Sequence, residues 1–297
     1  MRAIFTTWHG RFEQLTSGRF QGTVQVVLGS LVRIFSTEAN QRMFFRGHDT
    51  GGLISFCPVT DSAADCIWQG RRYDQGQLAV KRSGAEVDLF SSRGVSALTL
   101  ELKPEVLLDS IRAILSTEAA LLAEGWTSYS IPPDAFRELT RQFDNFLQRA
   151  LADPSLVGSA EGHRLEQECV RAVVASLFAG TSLPRAPLPV RLEFVRRTEE
   201  LMRSRLGDPI GAIDLCREIG VNDRTLRLAF RERYGVGPMT YFRFLRLNAV
   251  RHRLRTDPQV AIADAARDCG FHHLGNFASD YRRLFGLLPS ETVRGSA

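Results

Sequence analysis

What most constrains this chain is a repeat in its last third. Leu226, Phe230, Tyr234, Gly235 and Pro238 recur 51 residues later as Phe277, Tyr281, Phe285, Gly286 and Pro289. Upstream, Cys216 and Gly220 recur at an offset of 50, as Ala266 and Gly270, so the second copy holds one extra residue after its Gly. In each copy the apolar positions lie four apart, which puts them on one side of an α-helix. The first Gly supplies a left-handed turn, the second ends the following helix, and a Pro follows shortly after. A small residue four before the turn Gly lets two helices approach closely. The plan is a helix, a tight turn and a second helix, present twice. Two αα-hairpins that merely pack together would share this spacing, so charge has to separate the two readings.

The charge does so. Residues 191–297 carry 19 Arg against 13 acidic side chains, a net +6, whereas residues 1–190 come to −1. Arg forks match phosphates and guanine edges. Lysine is scarce throughout, with only Lys81 and Lys103, so the location of the charge is more informative than the preference for Arg. A basic region built of paired helices points to duplex DNA. The break falls near residues 182–189 (SLPRAPLP), where three prolines favour an extended tether over a helix.

Ahead of that break, short runs rich in Val, Ile, Phe and Leu alternate with Gly, Asp and Ser between about residues 21 and 102. VQVVL, LVRIF, MFFRG, LISFC, QLAVK, EVDLF and ALTLEL are the clearest. Their spacing of roughly 8 to 12 residues suits an antiparallel sandwich or small barrel rather than βαβ units. After Pro104 the period becomes helical. Val106, Leu107, Ile111, Ile114 and Leu115 make one stripe, and Phe136, Leu139, Phe143, Phe146, Leu147 and Ala150 a second. Leu165, Cys169, Ala172, Val173, Leu177 and Phe178 make a third. The second and third stripes suit either a partner subunit or a cover over the β-domain. The fold class is therefore α+β, an N-terminal antiparallel β-domain with trailing helices followed by an all-α domain with two helix-turn-helix motifs.

Several function classes lose ground. The five cysteines form no C-x-x-C pair and read as buried thiols. No Gly-rich phosphate loop, H-E-x-x-H or G-x-S-x-G is present. His9, His48 and His163 are scattered, so no metal site and no cofactor are expected. The longest apolar run, residues 172–180, is far short of the ~20 residues a membrane span needs, and no basic-then-apolar leader opens the chain, so a cytoplasmic location is expected.

GFHHLGNFASDYRRLFGLLPSE, residues 270–291, resembles the signature of the AraC/XylS-type transcriptional regulators. The first copy and its connecting segment, GVNDRTLRLAFRERYGVGPMTYFRFLRLNAVRHRLR, match as well, including Arg246 and Leu247. The resemblance covers residues 192–293 and implies sequence-specific DNA binding, an N-terminal cupin-like domain that senses an effector, and helices that dimerise. On that reading residues 1–180 are the β-rich sensory domain with its dimerisation helices, 181–190 the linker and 191–297 the DNA-binding domain. Within the last, the motifs fall at about 210–233 and 260–285, with a linker helix at about 239–254.

A first recognition helix at about 222–233, with Asn222 as N-cap, turns Leu226, Ala229 and Phe230 inward and Arg224, Arg227, Leu228 and Arg231 outward. That outward set fits a major groove, since Arg bonds guanine bidentately and Leu touches a thymine methyl. The family's base-reading positions fall on Arg224, Arg227 and Leu228; Leu228 stands where the family often has Arg, which removes a guanine contact there. The second recognition helix, about 273–284, turns Gly275, Ala278, Ser279 and Arg282 outward. The matching family positions are Leu274, Gly275, Asn276 and Ser279, with Ser279 again in place of a frequent Arg. Weaker base readout by this copy is expected, with affinity drawn from phosphates and DNA shape. Expected phosphate contacts are Thr225, Arg231, Arg243, Arg246, His272, His273 and Arg282. A linker helix of about 16 residues, or ~24 Å, would let one chain read a bipartite site.

Phe44, Phe45 and Trp68 are the candidate effector pocket, although aromatic residues there serve equally well as core. Further partners implied by the resemblance are a second copy of the chain, RNA polymerase and a small-molecule effector, with activation as the family's usual mode. Two alternatives stay open at the sequence level. One is a cupin-like metal-dependent enzyme with a DNA-binding appendage, and the other a nucleoid-type binder without sequence preference.

Overall fold

The computed structural model describes residues 8–49, 51–60, 66–68, 70–82, 84–115, 127–183, 190–257 and 259–294. The proline-rich tether at residues 184–189 lies outside the described residues. The chain divides into two compact units. One takes the segment ending at Arg11, Gly22–Asn40 and Phe45–Ala186; the other takes Phe12–Gln21, Gln41–Phe44 and Pro187–Ala297.

The strands in chain order are β1 (Trp8–Gln14), β2 (Gly22–Leu28), β3 (Val32–Ala39), β4 (Met43–Asp49), β5 (Ile54–Pro58), β6 (Ile67–Trp68), β7 (Arg71–Arg72), β8 (Gln77–Lys81), β9 (Glu86–Phe90), β10 (Val95–Leu102), β11 (Thr127–Ser130) and β12 (Thr181–Leu183). Five form a sheet in the order β1-β4-β9-β6-β7. Seven form a second, β12-β11-β8-β5-β10-β3-β2, antiparallel at every junction. All seven apolar runs read from the sequence are strands, namely β2, β3, β4, β5, β8, β9 and β10. The strands left unread are too short or too polar to show alternation, such as the pair Arg71–Arg72 or WHGRFEQ in β1.

The three stripes are helices α1 (Pro104–Leu115), α2 (Pro133–Ala152) and α3 (Ala160–Ala179). Their apolar sides join one face of the seven-stranded sheet in a single core. Val27, Ile34, Phe56, Val80 and Leu100 from the strands meet Leu107 and Ile111 of α1, Leu139, Phe143 and Phe146 of α2, and Leu165, Cys169 and Val173 of α3. Each such side chain contributes roughly 1.5–3 kcal/mol by leaving water. The stripes of α2 and α3 thus cover the β-sheet. Phe178, expected on the third stripe, is instead 43% exposed, and Val170 and Val174 take buried places. The outer faces of α2 and α3 pair their own charges, as in Arg141–Glu138, Arg149–Glu161 and Arg164–Glu161.

The other face of this sheet carries a polar row running straight across four strands. Arg33 of β3 lies opposite Glu101 of β10, Glu101 opposite Ser55 of β5, and Ser55 opposite Lys81 of β8. Arg33 Nε donates to Glu101 at 2.5 Å and Ser55 Oγ donates to it at 2.7 Å. Glu101 is fully buried, so both partners are needed to offset its desolvation.

Glu166 of α3 is also fully buried. It accepts from the backbone N–H groups of Ser30, Leu31 and Val32 and from Ser30 Oγ, which satisfies the turn between β2 and β3. None of the five cysteines is in a disulfide, and burial pushes the thiols of Cys57 and Cys169 up to about 12.

The second unit is helical: α4 (Val190–Ser204), α5 (Ala212–Ile219), α6 (Asp223–Tyr234), α7 (Pro238–Thr256), α8 (Ile262–Asp268), α9 (Leu274–Phe285) and α10 (Pro289–Arg294). The second helices of the two motifs keep the repeat, since α6 and α9 each run 12 residues, begin 51 apart and end 51 apart. Gly220 and Gly270 turn the chain at φ 77° and 80°, and Gly235 and Gly286 end α6 and α9 at 72° and 70°. A side chain with a Cβ is disfavoured by about 1–2 kcal/mol in that region.

Candidate nucleic-acid interface

Helix α6 starts where the Asn222 side chain accepts from Thr225 N–H at 2.8 Å. Leu226, Ala229, Phe230 and Tyr234 are buried, with Phe230 and Tyr234 ring centroids 5.3 Å apart. Tyr234 also stacks on Tyr241 of α7 at 3.9 Å and donates to Glu199 of α4 at 2.9 Å. Helix α6 is therefore gripped on its inner side by α4 and α7. Its outer side exposes Arg224, Arg227, Leu228 and Arg231, and Leu228 is 45% exposed. Arg227 donates to Asp223 one turn earlier at 2.9 Å, and that bond raises its pKa. Thr225 is half-buried beside this face.

Helix α9 repeats the packing with different chemistry outside. Phe277, Tyr281, Leu284 and Phe285 are buried against Leu247, Val250 and Leu254 of α7 and Ala265 and Ala266 of α8. Leu274, Gly275, Asn276 and Ser279 are exposed and uncharged, and Ala278 is half-buried. Positive charge on α9 comes from Arg282 and Arg283, both in its last turn. His272 and His273 are exposed ahead of the helix; His273 is its N-cap residue, but its side chain makes no capping bond.

Helix α7 joins the two motifs and is longer than the sequence suggests, 19 residues or about 28 Å. Tyr241 and Phe242, toward its start, are buried beside the first motif, where Tyr241 meets Phe230 at 5.5 Å. Leu247, Val250 and Leu254 belong to the core of the second. Burial on two sides removes the single apolar stripe that would mark such a helix in a sequence.

The arginines of α7 differ in what they already hold. Arg243 is exposed and lies 3.7 Å from Asp280 of α9. Arg246 is half-buried with its guanidinium 4.1 Å above the Phe242 ring, and it donates to the Asp208 carbonyl. A Cβ on Gly270 would come within 2.9 Å of that guanidinium, so Arg246 braces the turn of the second motif. Arg246→Ala is therefore expected to lower unfolding free energy by about 1–3 kcal/mol through the orphaned carbonyl and lost packing. The salt dependence of DNA binding should stay the same; a slope shallower by about one would instead mark a phosphate contact.

Sequence reasoning missed what holds α7 and α9 from outside the repeat. Asn248 of α7 donates to the Gln14 carbonyl and accepts from the Gln14 N–H, both at 3.0 Å. The Gln14 side chain donates to the Leu284 carbonyl at 2.6 Å. Arg203 of α4 forks onto Glu13 at 2.5 and 2.8 Å. Phe44 lies edge-on to Tyr234 at 6.2 Å. Phe45 is buried in β4, and Trp68 in β6 lies 5.9 Å from Tyr73. Of the three aromatics expected at an effector pocket, Phe44 and Phe45 are thus buried and Trp68 is half-buried.

A family model described as a helix-turn-helix domain matches residues 215–295. A solved structure described as "a probable AraC family transcriptional regulator" from Rhodopseudomonas palustris is 34% identical, over 35% of this chain and 97% of that one, with a TM-score of 0.32. The chain belongs to the AraC/XylS-type transcription regulators. It is similar to the XylDLEGF operon transcriptional activator 1 of Pseudomonas putida, 27% identical over 243 residues, which span 77% of this chain and 69% of that protein. The "Probable thc operon regulatory protein" of Rhodococcus erythropolis is 31% identical over 110 residues, 36% of this chain, and the matched stretch spans only a third of that relative's length. ToxT from Vibrio cholerae aligns over 97% of this chain and 98% of its own at 11% identity and a TM-score of 0.34. The helix-turn-helix domain and the relatives named transcriptional activators make this AraC/XylS-type chain a DNA-binding transcription regulator. Among the described residues, no helix is long and apolar enough to cross a membrane.

Proposed function

We propose that this regulator is an effector-responsive activator whose two recognition helices read a bipartite DNA site. The observation that carries the reading is the outer face of α6, where Arg224, Arg227, Leu228 and Arg231 are all exposed while the inner face is sealed by Leu226 and Phe230. Arg224 and Arg227 are assigned to guanine edges and Leu228 to a thymine methyl. On α9, Leu274, Gly275, Asn276 and Ser279 approach base edges with no charge among them, so that half-site is read by fit and DNA shape. Thr225, Arg231, Arg243, His272, His273 and Arg282 are assigned to phosphate. Helix α7 sets the spacing of the two half-sites.

Activation is supported by the likeness to relatives named transcriptional activators. RNA polymerase is the partner an activator requires, and the cytoplasm is where both would meet DNA. A small-molecule effector is assigned to the β-rich unit, and a homodimer is the working assembly; no enzymatic role is assigned. Sequence selection from a random duplex pool, followed by competition at matched salt, tests the central reading. The selected site should bind at least about a thousandfold more tightly than random DNA. Equal affinities would identify a non-specific binder.

A further inference from the structure

Strand β1 ends in two polar residues, Glu13 and Gln14, and both are buried. Successive side chains of a strand leave on opposite sides, so the pair is covered on both sides of the backbone and each member needs partners there. The partners come from helices, because Phe12–Gln21 belongs to the same compact unit as Pro187–Ala297. The two residues, adjacent in sequence, reach different halves of the duplicated motif.

Glu13 serves the first motif. It accepts the fork of Arg203 at 2.5 and 2.8 Å, Arg203 Nε donates to Glu199 at 2.8 Å, and Glu199 accepts from the Tyr234 hydroxyl at 2.9 Å. Tyr234 is the last residue of α6. Gln14 serves the second motif. Its backbone N–H and carbonyl pair with the Asn248 side chain of α7, and its side-chain amide donates to the Leu284 carbonyl, in the last turn of α9, at 2.6 Å. Gly18 N–H donates to the same carbonyl at 3.1 Å. The last carbonyls of a helix have no partner inside it, so these two donors fix the end of α9 from outside. The Gln14 amide also donates to the Thr16 and Gly18 carbonyls at 2.7 and 2.6 Å, which stiffens residues 14–18.

We propose that Glu13 and Gln14 are positioning residues for DNA reading, holding the ends of α6 and α9 at one separation and so setting the half-site spacing that a chain accepts. Helix α7 joins the motifs, and the Leu206–Asp208 loop meets the Gly270 turn and Arg246. The Glu13–Gln14 pair adds a link at the ends of the recognition helices themselves. Its members sit on neighbouring Cα atoms, about 3.8 Å apart, so neither helix end can shift without moving the other's anchor. One base pair inserted between half-sites moves the second by about 3.4 Å and turns it by about 35°. Helices tied in this way cannot follow, so one half-site goes unread and the gain from joining two readers is lost.

This inference rests on the bipartite reading above, and duplexes of altered spacing separate the two. Anisotropy titrations of the full-length chain use the selected duplex, the same duplex with one base pair inserted or removed between half-sites, and a duplex carrying the α6 half-site alone. The wild type should bind the selected spacing at least about tenfold more tightly than either altered one. Glu13→Ala, Gln14→Ala and Asn248→Ala should each cut that preference to about threefold or less, while affinity for the single half-site stays within about twofold of the wild type. Asn248→Ala removes the α7 anchor and leaves β1 intact, so it carries the test if the β1 variants do not fold. A wild type indifferent to spacing would overturn the bipartite reading and this inference with it. A spacing preference unchanged in the variants, or an equal loss on every duplex, would overturn the positioning role alone.

Discussion

Replacing Glu166 with alanine is expected to lower unfolding free energy by about 3–5 kcal/mol, among the larger effects a single substitution can have. The carboxylate accepts four hydrogen bonds, from Ser30 N–H, Ser30 Oγ, Leu31 N–H and Val32 N–H. No water replaces it readily, because the side chain is fully buried and its space is walled by Gly29, where a Cβ would come within 2.6 Å of the carboxyl carbon. Loss of the acceptor leaves the buried Val32 N–H unpaired, at a cost of about 1–3 kcal/mol, and frees the part-buried donors of Ser30 and Leu31. Glu166→Gln keeps one acceptor oxygen but turns an NH2 toward other donors, so an intermediate loss is expected. Urea unfolding gives the total, and amide exchange at Leu31 and Val32 gives the local part. Protection at those two amides equal to that of the wild type would show that another group satisfies the turn.

Arg227→Ala is expected to weaken binding to a selected duplex by about 1–3 kcal/mol, or roughly 5- to 150-fold, and to relax preference at one base pair. Affinity for random DNA should change far less. The bond to Asp223 does not oppose this role, because both groups are more than half exposed and such a pair is worth only about 0–1 kcal/mol. That bond instead holds the fork on the outer face before DNA arrives. Ser279→Ala, on α9 at the place that corresponds to Leu228 of α6, should change affinity by less than about 0.5 kcal/mol, since it removes one neutral contact. Anisotropy titrations of both variants on selected and random duplexes give the four numbers needed. If Arg227→Ala weakens both duplexes equally, Arg227 contacts phosphate. A larger loss from Ser279→Ala would reverse the proposed division between the helices.

Local, periodic information was legible in the sequence. The 51-residue repeat, the turn glycines, the Asn222 cap and the two faces of α6 and α9 depend on residues within one or two turns of each other. Backbone geometry then fixes where each side chain points. The strand runs of the β-rich unit were legible for the same reason. Helix α7 was harder to read, because burial on two sides erases the stripe that periodicity relies on, and the strands of two or three residues have no period to find.

Tertiary structure alone decided which polar groups are structural. Glu166 meets a turn about 135 residues away, Glu101 meets Arg33 across 68 residues, and Arg203 meets Glu13 across 190. Nothing in the local pattern of any of these residues sets it apart from a solvated one. The same holds for Arg246, which in sequence is one more cation in a basic helix and in the structure braces the Gly270 turn. A buried charge must find its partner wherever the fold brings one, so its role is a property of packing and not of its neighbours in the chain. The repeat by itself established a pair of helix-turn-helix motifs in a basic domain. Which groups its arginines already hold, Asp223 for Arg227, Asp280 for Arg243 and the Asp208 carbonyl for Arg246, was shown only by the tertiary structure.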